Sequence, residues 1–469
     1  MRTSSDNLRL ADSLAALTGP SGSVEDIRAW VTKRNDAVKV AVDLVDFSSL
    51  RQWTFDPSTG DLEHESGCFF AIRGVSVNTE GYFPSDKRWQ QPIIDQPEVG
   101  FLGIIAQERN GVLCFLLQAK IEPGNLNHVQ LSPTLQATRS NYMRIHGGRT
   151  PLFLEYFHEA EKHKIWLDQL QSEQGGRFLH KRNRNIIIEV TEPIPDHEDF
   201  IWVTLGQLKT LMTYDNVVNM DTRTVISGLG WHNDGTDSLS GRVCSRRGRA
   251  LLASMNCGLD AESINKTLFW LSDLKSRYVL NTKVIPLREV AEWEIRPNEI
   301  IRPDRQFFRV VGAQVTIGNR EVTTWSQPLV QPMQRGLCAL LMKQIDGVMH
   351  FLIQAKLECG NLDVVELAPT VQCLTGSYTS GSPFALGEVL NAAPEQVVYD
   401  VWQSEEGGRF YYEQNRNLVV EAREDFPAEN IPENFRWMTL GELREFLRFN
   451  NYLNIQLRSL LAALNLFTV

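Results

Sequence analysis

The sequence lacks the features that mark several classes of protein. It has no run of about 18 apolar residues, so no membrane-spanning helix is expected. Its first 17 residues are polar, with mixed charge and no apolar secretory core, so we expect a cytoplasmic protein. The formal net charge of −10 argues against a nucleic-acid partner, because binding a duplex requires a basic surface. It leaves room for an anionic small molecule in a local basic pocket.

Sequence signatures of cofactor and metal sites are also missing. No GxGxxG follows a strand, and no P-loop or HExxH motif is present. The nine histidines are dispersed, and the seven cysteines form no CxxC pair. An odd, scattered set of cysteines is typical of reduced thiols rather than of a disulfide framework or a zinc site. We therefore expect no cofactor and no metal.

An internal repeat is the most informative feature of the chain. Residues 115–136 and 351–372 are identical at 14 of 22 positions, 236 residues apart. Further matching blocks lie on both sides, among them SEQGGRF at 172–178 and SEEGGRF at 404–410. The chain is therefore interpreted as two copies of one domain. The predicted divisions are an N-terminal segment (1–23), a first repeat (24–230), a linker or exposed loop (231–263) and a second repeat (264–469).

Each repeat has the pattern of an α+β domain. The apolar, β-rich segments 111–119 and 185–190 are typical of buried strands. Helices are expected at 24–34, 204–213 and 216–229, and Thr204 with Gln207 has the pattern of a capping box. A mixed sheet with flanking helices fits this order best.

A duplicated polar motif, Gln-Ala-Lys-x-Glu-x-Gly-Asn, closes one apolar strand in each repeat. In the first repeat, Gln118, Lys120 and Glu122 would share one strand face beside a Gly-Asn turn. The motif indicates either the floor of a polar pocket or an ion pair on a half-buried face. Its duplication favours the pocket.

Two other features suggest ligand contacts. The segment Thr138–Tyr142 carries hydroxyls, an amide and an arginine that suit pyrophosphate and sugar oxygens, although a plain polar turn is the alternative. Trp53 pairs with Trp293 and Trp89 with Trp325 across the repeat; each tryptophan is either core or a stacking surface for a nucleobase.

The SEEGG fragment matches part of a Nudix box, but Val401-Trp402 stands where that box has Arg-Glu.

These blocks together resemble the NDP-hexose 2,3-dehydratase family of deoxysugar biosynthesis. The segments that carry the resemblance include FFAIRGVSV (69–77), FLLQAKIEPGN (115–125), VQLSPTLQATRSNY (129–142), KRNRN (181–185) and NVVNMDTR (216–223). The resemblance covers nearly the whole chain. It implies a tandem duplication of a Nudix-like mixed-sheet domain, a homodimer, and loss of water across C2–C3 of an NDP-4-keto-6-deoxyglucose, usually the dTDP form.

The predicted site residues fall into two sets, one for each repeat. The predicted catalytic residues are Lys120 as electrophile, with Glu122 or Tyr142 as base. The predicted substrate-binding residues of the first repeat are Trp53, Trp89, Gln91, Gln118, Asn125, Thr134, Gln136, Arg139, Ser140, Asn141 and Arg177. The predicted second pocket contains Trp293, Trp325, Lys356, Glu358, Thr370, Gln372, Ser377, Tyr378 and Arg409.

Two other functions remain open at this point. A non-catalytic nucleotide-sugar binding protein would use the same pockets. A Nudix-like hydrolase would need a carboxylate cluster for magnesium, which the incomplete box does not supply. Between the repeats, the first is the expected catalytic one, because only its loop keeps Arg139 and Asn141.

Overall fold

The computed structural model describes residues 4–138, 150–230, 237–320, 322–375 and 383–466. The predicted site residues Arg139, Ser140, Asn141, Tyr142, Ser377 and Tyr378 lie outside these ranges. No helix within the described ranges is long and apolar enough to cross a membrane.

The strands of the first repeat are β1 (Val40–Val45), β2 (Trp53–Phe55), β3 (Leu62–His64), β4 (Ala71–Glu80), β5 (Lys87–Asp95), β6 (Gly100–Arg109), β7 (Val112–Ile121), β8 (Val129–Pro133), β9 (Leu135–Ala137), β10 (Lys164–Ser172), β11 (Arg182–Glu189) and β12 (Phe200–Thr204). The strands of the second repeat are β13 (Val279–Ile285), β14 (Glu294–Ile295), β15 (Glu299–Ile301), β16 (Phe308–Ile317), β17 (Thr324–Pro332), β18 (Gly336–Ile345), β19 (Val348–Lys356), β20 (Glu366–Ala368), β21 (Val371–Leu374), β22 (Val397–Ser404), β23 (Gln414–Glu421) and β24 (Phe435–Thr439).

The described helices are α1 (Ser4–Ala15), α2 (Val24–Ala37), α3 (Leu154–His158), α4 (Leu205–Leu211), α5 (Met220–Ser227), α6 (Asp237–Ser240), α7 (Arg246–Asn256), α8 (Ala261–Arg277), α9 (Leu386–Leu390), α10 (Leu440–Leu447) and α11 (Ile455–Ala463). The capping box predicted at Thr204 is confirmed, and Thr439 and Glu442 form its counterpart at the start of α10.

Each repeat builds one large sheet with the same order. In the first repeat the order is β10-β11-β6-β7-β12, with β8 beside β7 and β9 beside β6; the second repeats it as β22-β23-β18-β19-β24, with β20 and β21. Only the β6–β11 and β18–β23 pairs are parallel among the described pairings of these sheets. The mixed α and β architecture predicted from the sequence is confirmed. The motif strand β7 lies in the middle of its sheet, which accounts for its nearly continuous apolar sequence.

The two small sheets exchange strands between the repeats. Strand β1 pairs with β16 of the second repeat, with Val40 opposite Ile317. Strand β13 pairs in turn with β4 of the first repeat, with Val279 opposite Glu80. Each repeat therefore completes the other's small sheet, and the predicted division at 231–263 does not separate two self-contained units.

The segment predicted as an exposed linker contains a buried helix instead. Helix α7 buries Leu251 and Met255, and the hydroxyl of Ser254 accepts a hydrogen bond from the Leu440 amide at 2.8 Å. Helix α1 does the same in the first repeat, where Ser13 accepts from the Leu205 amide at 2.9 Å. Arg and Ser residues flank the apolar positions of α7, so the sequence pattern indicated a loop rather than a helix there. The structural repeat thus begins earlier than the sequence match suggested.

Two fully buried arginines join the repeats at their centre. Arg223 on α5 donates to the hydroxyl of Ser459 on α11 at 2.7 Å and to the carbonyl of Ser404 at 2.7 Å. Arg458 on α11 donates to the hydroxyl of Thr224 on α5 at 2.7 Å. Burial lowers the pKa of both guanidinium groups, that of Arg458 to about 10. The pairing relates the repeats by an approximate two-fold axis.

Beside this axis the second repeat carries a buried acid where the first has an amide. Ser172 donates to Glu366 at 2.8 Å, and burial raises the pKa of Glu366 to about 7. The equivalent contact joins Ser404 to the amide oxygen of Gln130, also at 2.8 Å. The second Glu366 oxygen, Oε1, has no hydrogen-bond partner within the described residues.

We expect Glu366→Gln to stabilise the protein above pH 7. The folded state binds the Glu366 proton more tightly than the unfolded chain, so the folding free energy becomes less favourable as the pH rises from about 4.5 to about 7. Removing this penalty should raise the free energy of unfolding at pH 8 by about 1–3 kcal/mol, with little change at pH 4.5. Urea unfolding at both pH values measures it, with the exposed Glu429→Gln as control. An equal change at both pH values would contradict the assignment.

Candidate functional site

A cavity of about 210 Å³ lies at the end of strand β7. Residues of both repeats line this cavity, which we call the first pocket. The polar lining residues from the first repeat include Gln96, Lys120, Glu122, Gln136, Glu173, Lys181 and Asp221. Those from the second repeat include Arg320, Trp325, Gln327, Glu406 and Arg409. A concave site with a few converging polar groups is the usual form of a small-molecule site.

The duplicated motif forms the buried floor of this pocket. The Lys120 ammonium donates to the carbonyl of Gln136 at 3.1 Å and lies 3.7 Å from Oε1 of Glu122. The amide of Gln136 donates to the same Glu122 oxygen at 3.2 Å. Asn219, the N-cap of α5, donates to the Gln136 amide oxygen at 3.4 Å. Strand and helix thus hold a cation and a carboxylate in fixed positions at the cavity.

The second repeat forms the same arrangement. Lys356 donates to the carbonyl of Gln372 at 3.2 Å, and the Gln372 amide donates to Glu358 at 3.1 Å. Asn454 donates to the Gln372 amide oxygen at 2.7 Å. We call the surroundings of Lys356 and Glu358 the second pocket.

The Gly-Asn turn of each repeat contacts the Gly-Gly loop of the other. The Gly124 amide donates to the Gly407 carbonyl at 2.8 Å, and the Gly360 amide to the Gly175 carbonyl at 2.7 Å. A Cβ at Gly124 would lie 1.6 Å from the carbonyl oxygen of Phe410. Glycine is required there because two backbones approach closely.

Because each Gly-Gly loop reaches across to the other repeat, several predicted residues lie in the pocket opposite to the one predicted. Arg409 and Trp325, assigned to the second pocket, lie in the first because their loop and strand reach across the axis. Arg177, assigned to the first, lies beside Glu358 and offsets part of the burial that raises the Glu358 pKa. Trp89 and Gln91 also lie near Arg177. The Gln91 amide nitrogen donates to the carbonyl of Gly176, next to Arg177, at 3.1 Å, and the Gln91 amide oxygen accepts a hydrogen bond from the Trp89 indole at 3.0 Å.

Other residues predicted to contact a ligand form hydrogen bonds to the backbone. Thr134 accepts from the Ile105 amide at 3.0 Å, and Thr370 accepts from the Leu341 amide at 2.8 Å, so both bridge strands. Trp53 lines the first pocket and donates to the Ser326 carbonyl at 2.7 Å; Trp293 donates to the Gln90 carbonyl at 3.2 Å.

Two residues of the duplicated motif lie away from the cavity lining. Asn125 donates to the His128 carbonyl at 2.7 Å and so holds its own turn. Gln118 lies opposite Phe200 in the β7–β12 pair and is not among the lining residues.

The first pocket contains a cluster of buried and half-buried acids that the sequence did not predict. Glu122 is joined by Glu173, Asp221 and Glu406. Burial, followed by repulsion from the neighbouring carboxylates, raises the pKa of Asp221 well above its usual value. Burial likewise raises the pKa of Glu406 to about 8 and lowers the pKa of Lys181 to about 8.

The second pocket has different groups at these positions. Matching SEQGGRF to SEEGGRF and extending the alignment pairs Gln174 with Glu406 and Lys181 with Glu413. The α5 and α11 alignment pairs Asp221 with Gln456. Since each Gly-Gly loop reaches the opposite pocket, Glu406 belongs to the first pocket and Gln174 to the second. The differences between the repeats therefore mark Asp221 and Glu406, whereas Glu122 and Glu173 have glutamates as counterparts.

The hairpins above the pockets differ as well. Arg320, in the β16–β17 hairpin, lines the first pocket and contacts the Ile121 carbonyl at 3.5 Å. In the β4–β5 hairpin, Tyr82 takes the corresponding place, receiving a hydrogen bond from Gln354 at 3.4 Å and contacting the Leu357 backbone. The first pocket thus gains a cation where the second has a phenol.

Within the described ranges, no group of three His, Cys, Asp or Glu side chains has the arrangement of a metal site. The expected independence from metal stays a prediction.

Comparison with known proteins gives a consistent result. The family model described as NDP-hexose 2,3-dehydratase matches residues 24–229 and 264–464. A dTDP-4-dehydro-6-deoxy-alpha-D-glucopyranose 2,3-dehydratase of Saccharopolyspora spinosa is 44% identical over 468 residues, which cover 98% of this chain and 95% of that protein. Proteins of the same name from Amycolatopsis orientalis and Streptomyces violaceoruber are 41% and 40% identical, covering 97% and 92% of this chain and 93% and 95% of their own lengths.

We expect Gly124→Ala to destabilise the protein by about 1–3 kcal/mol, because the new methyl group would overlap the Phe410 carbonyl and displace the Gly-Gly loop. Thermal unfolding measures the loss. Gly387→Ala is the matched control, since its Cβ would meet no atom closer than 4.0 Å and it lies in helix α9. Equal stability of the two variants would contradict the close approach at Gly124.

Proposed function

The chain belongs to the NDP-hexose 2,3-dehydratase family, and we propose that it removes water across C2 and C3 of dTDP-4-keto-6-deoxyglucose. The observation that carries the proposal is the buried Lys120–Glu122 pair in a cavity that both repeats line. Three relatives named for this reaction, each matched over most of its length, support the same assignment.

The reaction needs no oxidant or reductant. The C4 ketone acidifies the C3–H bond, so a base removes that proton and leaves an enolate. The enolate forms the C2–C3 double bond as the C2–O bond breaks, and the departing hydroxyl takes a proton to become water. The product carries its C3 hydroxyl on a double bond and is therefore an enol, which tautomerises to a 3,4-diketone. The protein must supply a base, a donor to the C4 oxygen and an acid.

The motif residues suit two of these roles. We assign Lys120 to the C4 oxygen, because a buried cation stabilises a developing oxyanion strongly in a site shielded from water. We assign Glu122 as the base, since its carboxylate lies beside that cation. Tyr142, outside the described residues, is the alternative base.

The cations at the edge of the first pocket suit the diphosphate. Arg409 and Arg320 both line it, and guanidinium groups bind phosphate oxygens in pairs. Arg409 lies 4.2 Å over the Phe70 ring, which limits the orientations of its side chain. Trp325 and Trp53 offer aromatic surface in the same cavity for the base or the sugar.

We place catalysis in the first pocket. It combines the motif pair with Asp221, Lys181 and Glu406, whereas the second pocket has Gln456, Glu413 and Gln174 there. Glu413 is itself an acid, but Gln456 and Gln174 have no acidic proton, so the second pocket has lost two of the groups that could give and take protons in an elimination. The second pocket keeps Lys356 and Glu358 and is proposed to bind a nucleotide sugar without turning it over.

Three further expectations are also proposals. The family resemblance supports a homodimer in the cytoplasm. A Nudix-like origin of each repeat is supported by the SEEGG fragment and by one parallel pair in a mostly antiparallel sheet. The hydrolytic alternative stays disfavoured because Val401 and Trp402 interrupt the box.

Incubation with dTDP-4-keto-6-deoxyglucose in the presence of EDTA tests the reaction. We expect a nucleotide sugar lighter by one water, detected by mass spectrometry and trapped as a quinoxaline with o-phenylenediamine. Release of a sugar phosphate would indicate the hydrolase, and tight binding without turnover would indicate the binding protein. Activity that EDTA abolishes and one divalent ion restores would contradict the metal-free mechanism.

Lysine substitutions test which repeat is catalytic. We expect Lys120→Met to lower kcat by about a hundredfold or more, the scale of losing one electrophilic group. Lys356→Met, the matched change in the second repeat, should leave kcat nearly unchanged. Steady-state kinetics measure both, with thermal unfolding as a check on the fold. The reverse pattern would move catalysis to the second pocket.

A further inference from the structure

Asp221 is a buried acid in the first pocket that the assigned roles leave unused. It lies in the first turn of α5, is 2% exposed and lines the same cavity as Lys120 and Glu122. The N-cap of that helix, Asn219, accepts from the Thr222 amide at 2.8 Å and also holds Gln136. Because Lys120 donates to the Gln136 carbonyl, hydrogen bonds through Asn219 and Gln136 connect the start of the helix that carries Asp221 to the motif pair.

The surroundings of Asp221 favour the protonated form of its carboxyl group. Glu406, Glu173 and Glu122 all repel a charge there, while Lys120 offsets only part of that repulsion. Burial is the larger cause, and together with this repulsion it raises the pKa of Asp221 well above its usual range. A carboxyl group whose pKa is raised keeps its proton to a higher pH than an ordinary aspartate does, which suits a proton donor in the pocket where Glu122 serves as the base.

The chemistry lacks such a donor. Once the C3 proton is gone, the C2 hydroxyl must leave, and hydroxide is a poor leaving group unless it is protonated. The first pocket has a carboxyl at position 221, and the second has the amide of Gln456, which is no proton donor for this step. A catalytic pocket needs a proton donor and a pocket that only binds does not, so this difference at position 221 is the one expected between them.

We propose that Asp221 is the general acid that protonates the C2 hydroxyl as the C2–O bond breaks. The C3 proton passes to the base and the C3–H electron pair forms the C2–C3 double bond. The C2–O pair leaves with the oxygen, which takes the Asp221 proton and departs as water. Proton transfer from the base through solvent restores Asp221, so no proton is gained or lost overall. This assignment rests on the proposed function.

Exchange in D2O separates the acid from the base. Asp221→Asn keeps the shape of the side chain but removes its proton. With dTDP-4-keto-6-deoxyglucose, we expect water loss to fall by about a hundredfold or more. Deuterium incorporation at C3 of the recovered substrate, read by NMR, should continue within about tenfold of the wild-type rate of deprotonation. Asp221→Gln, which installs the residue of the second repeat, should behave alike, and Asp36→Asn, at an exposed position of helix α2, should change neither rate.

Each other result has a defined meaning. Parallel loss of exchange and elimination in Asp221→Asn would overturn the assignment, because the residue would then act in deprotonation or in the fold. Exchange without elimination in Glu406→Gln, with Asp221→Asn fully active, would transfer the role to Glu406. Failure of the wild type to lose water would overturn the proposed function itself, whereas an active wild type confines any failure to Asp221.

Discussion

The architecture depends on two arginines buried at the contact between the repeats. Arg223 and Arg458 each donate to a hydroxyl on the partner helix and to backbone carbonyls, so their charges are dispersed over several acceptors. A buried guanidinium without such acceptors would be strongly destabilising. Because these acceptors lie on α5, on α11, on the last residue of β22 and on the backbone just before α11, the arginines fix α5 against α11 and so join the two repeats.

With the repeats joined in this way, neither pocket belongs to one repeat alone. The approximate two-fold axis brings each Gly-Gly loop against the opposite Gly-Asn turn, and the loop carries an arginine with it. A substitution in one repeat therefore alters the site of the other. The two pockets differ in two acids, Asp221 and Glu406, which are amides in the second pocket, while the contacts between loops and turns are the same in both.

The sequence predicted the repeat, the α+β class, the capping box at Thr204 and the duplicated motif, because these are local patterns or direct identities. It could not predict the strand exchange, since β1 and β13 look like ordinary strands whichever sheet they join. For the same reason Arg409 and Trp325 were placed in the wrong pocket. The sequence also predicted Thr134 as a ligand contact. A threonine hydroxyl that bridges two strands cannot be distinguished from one that contacts a ligand by the residues around it. The acids were missed because Asp221, Glu173 and Glu406 are far apart in sequence.

The exchanged strands have a consequence for synthesis on the ribosome. Strand β4 is translated long before its neighbour β13, which starts at Val279. Until β13 leaves the exit tunnel, the nascent first repeat presents an open sheet edge to other chains, and such edges invite aggregation. Contacts this distant in sequence also slow folding. A gene split between the repeats would therefore yield two fragments, each lacking a strand that only the other can provide.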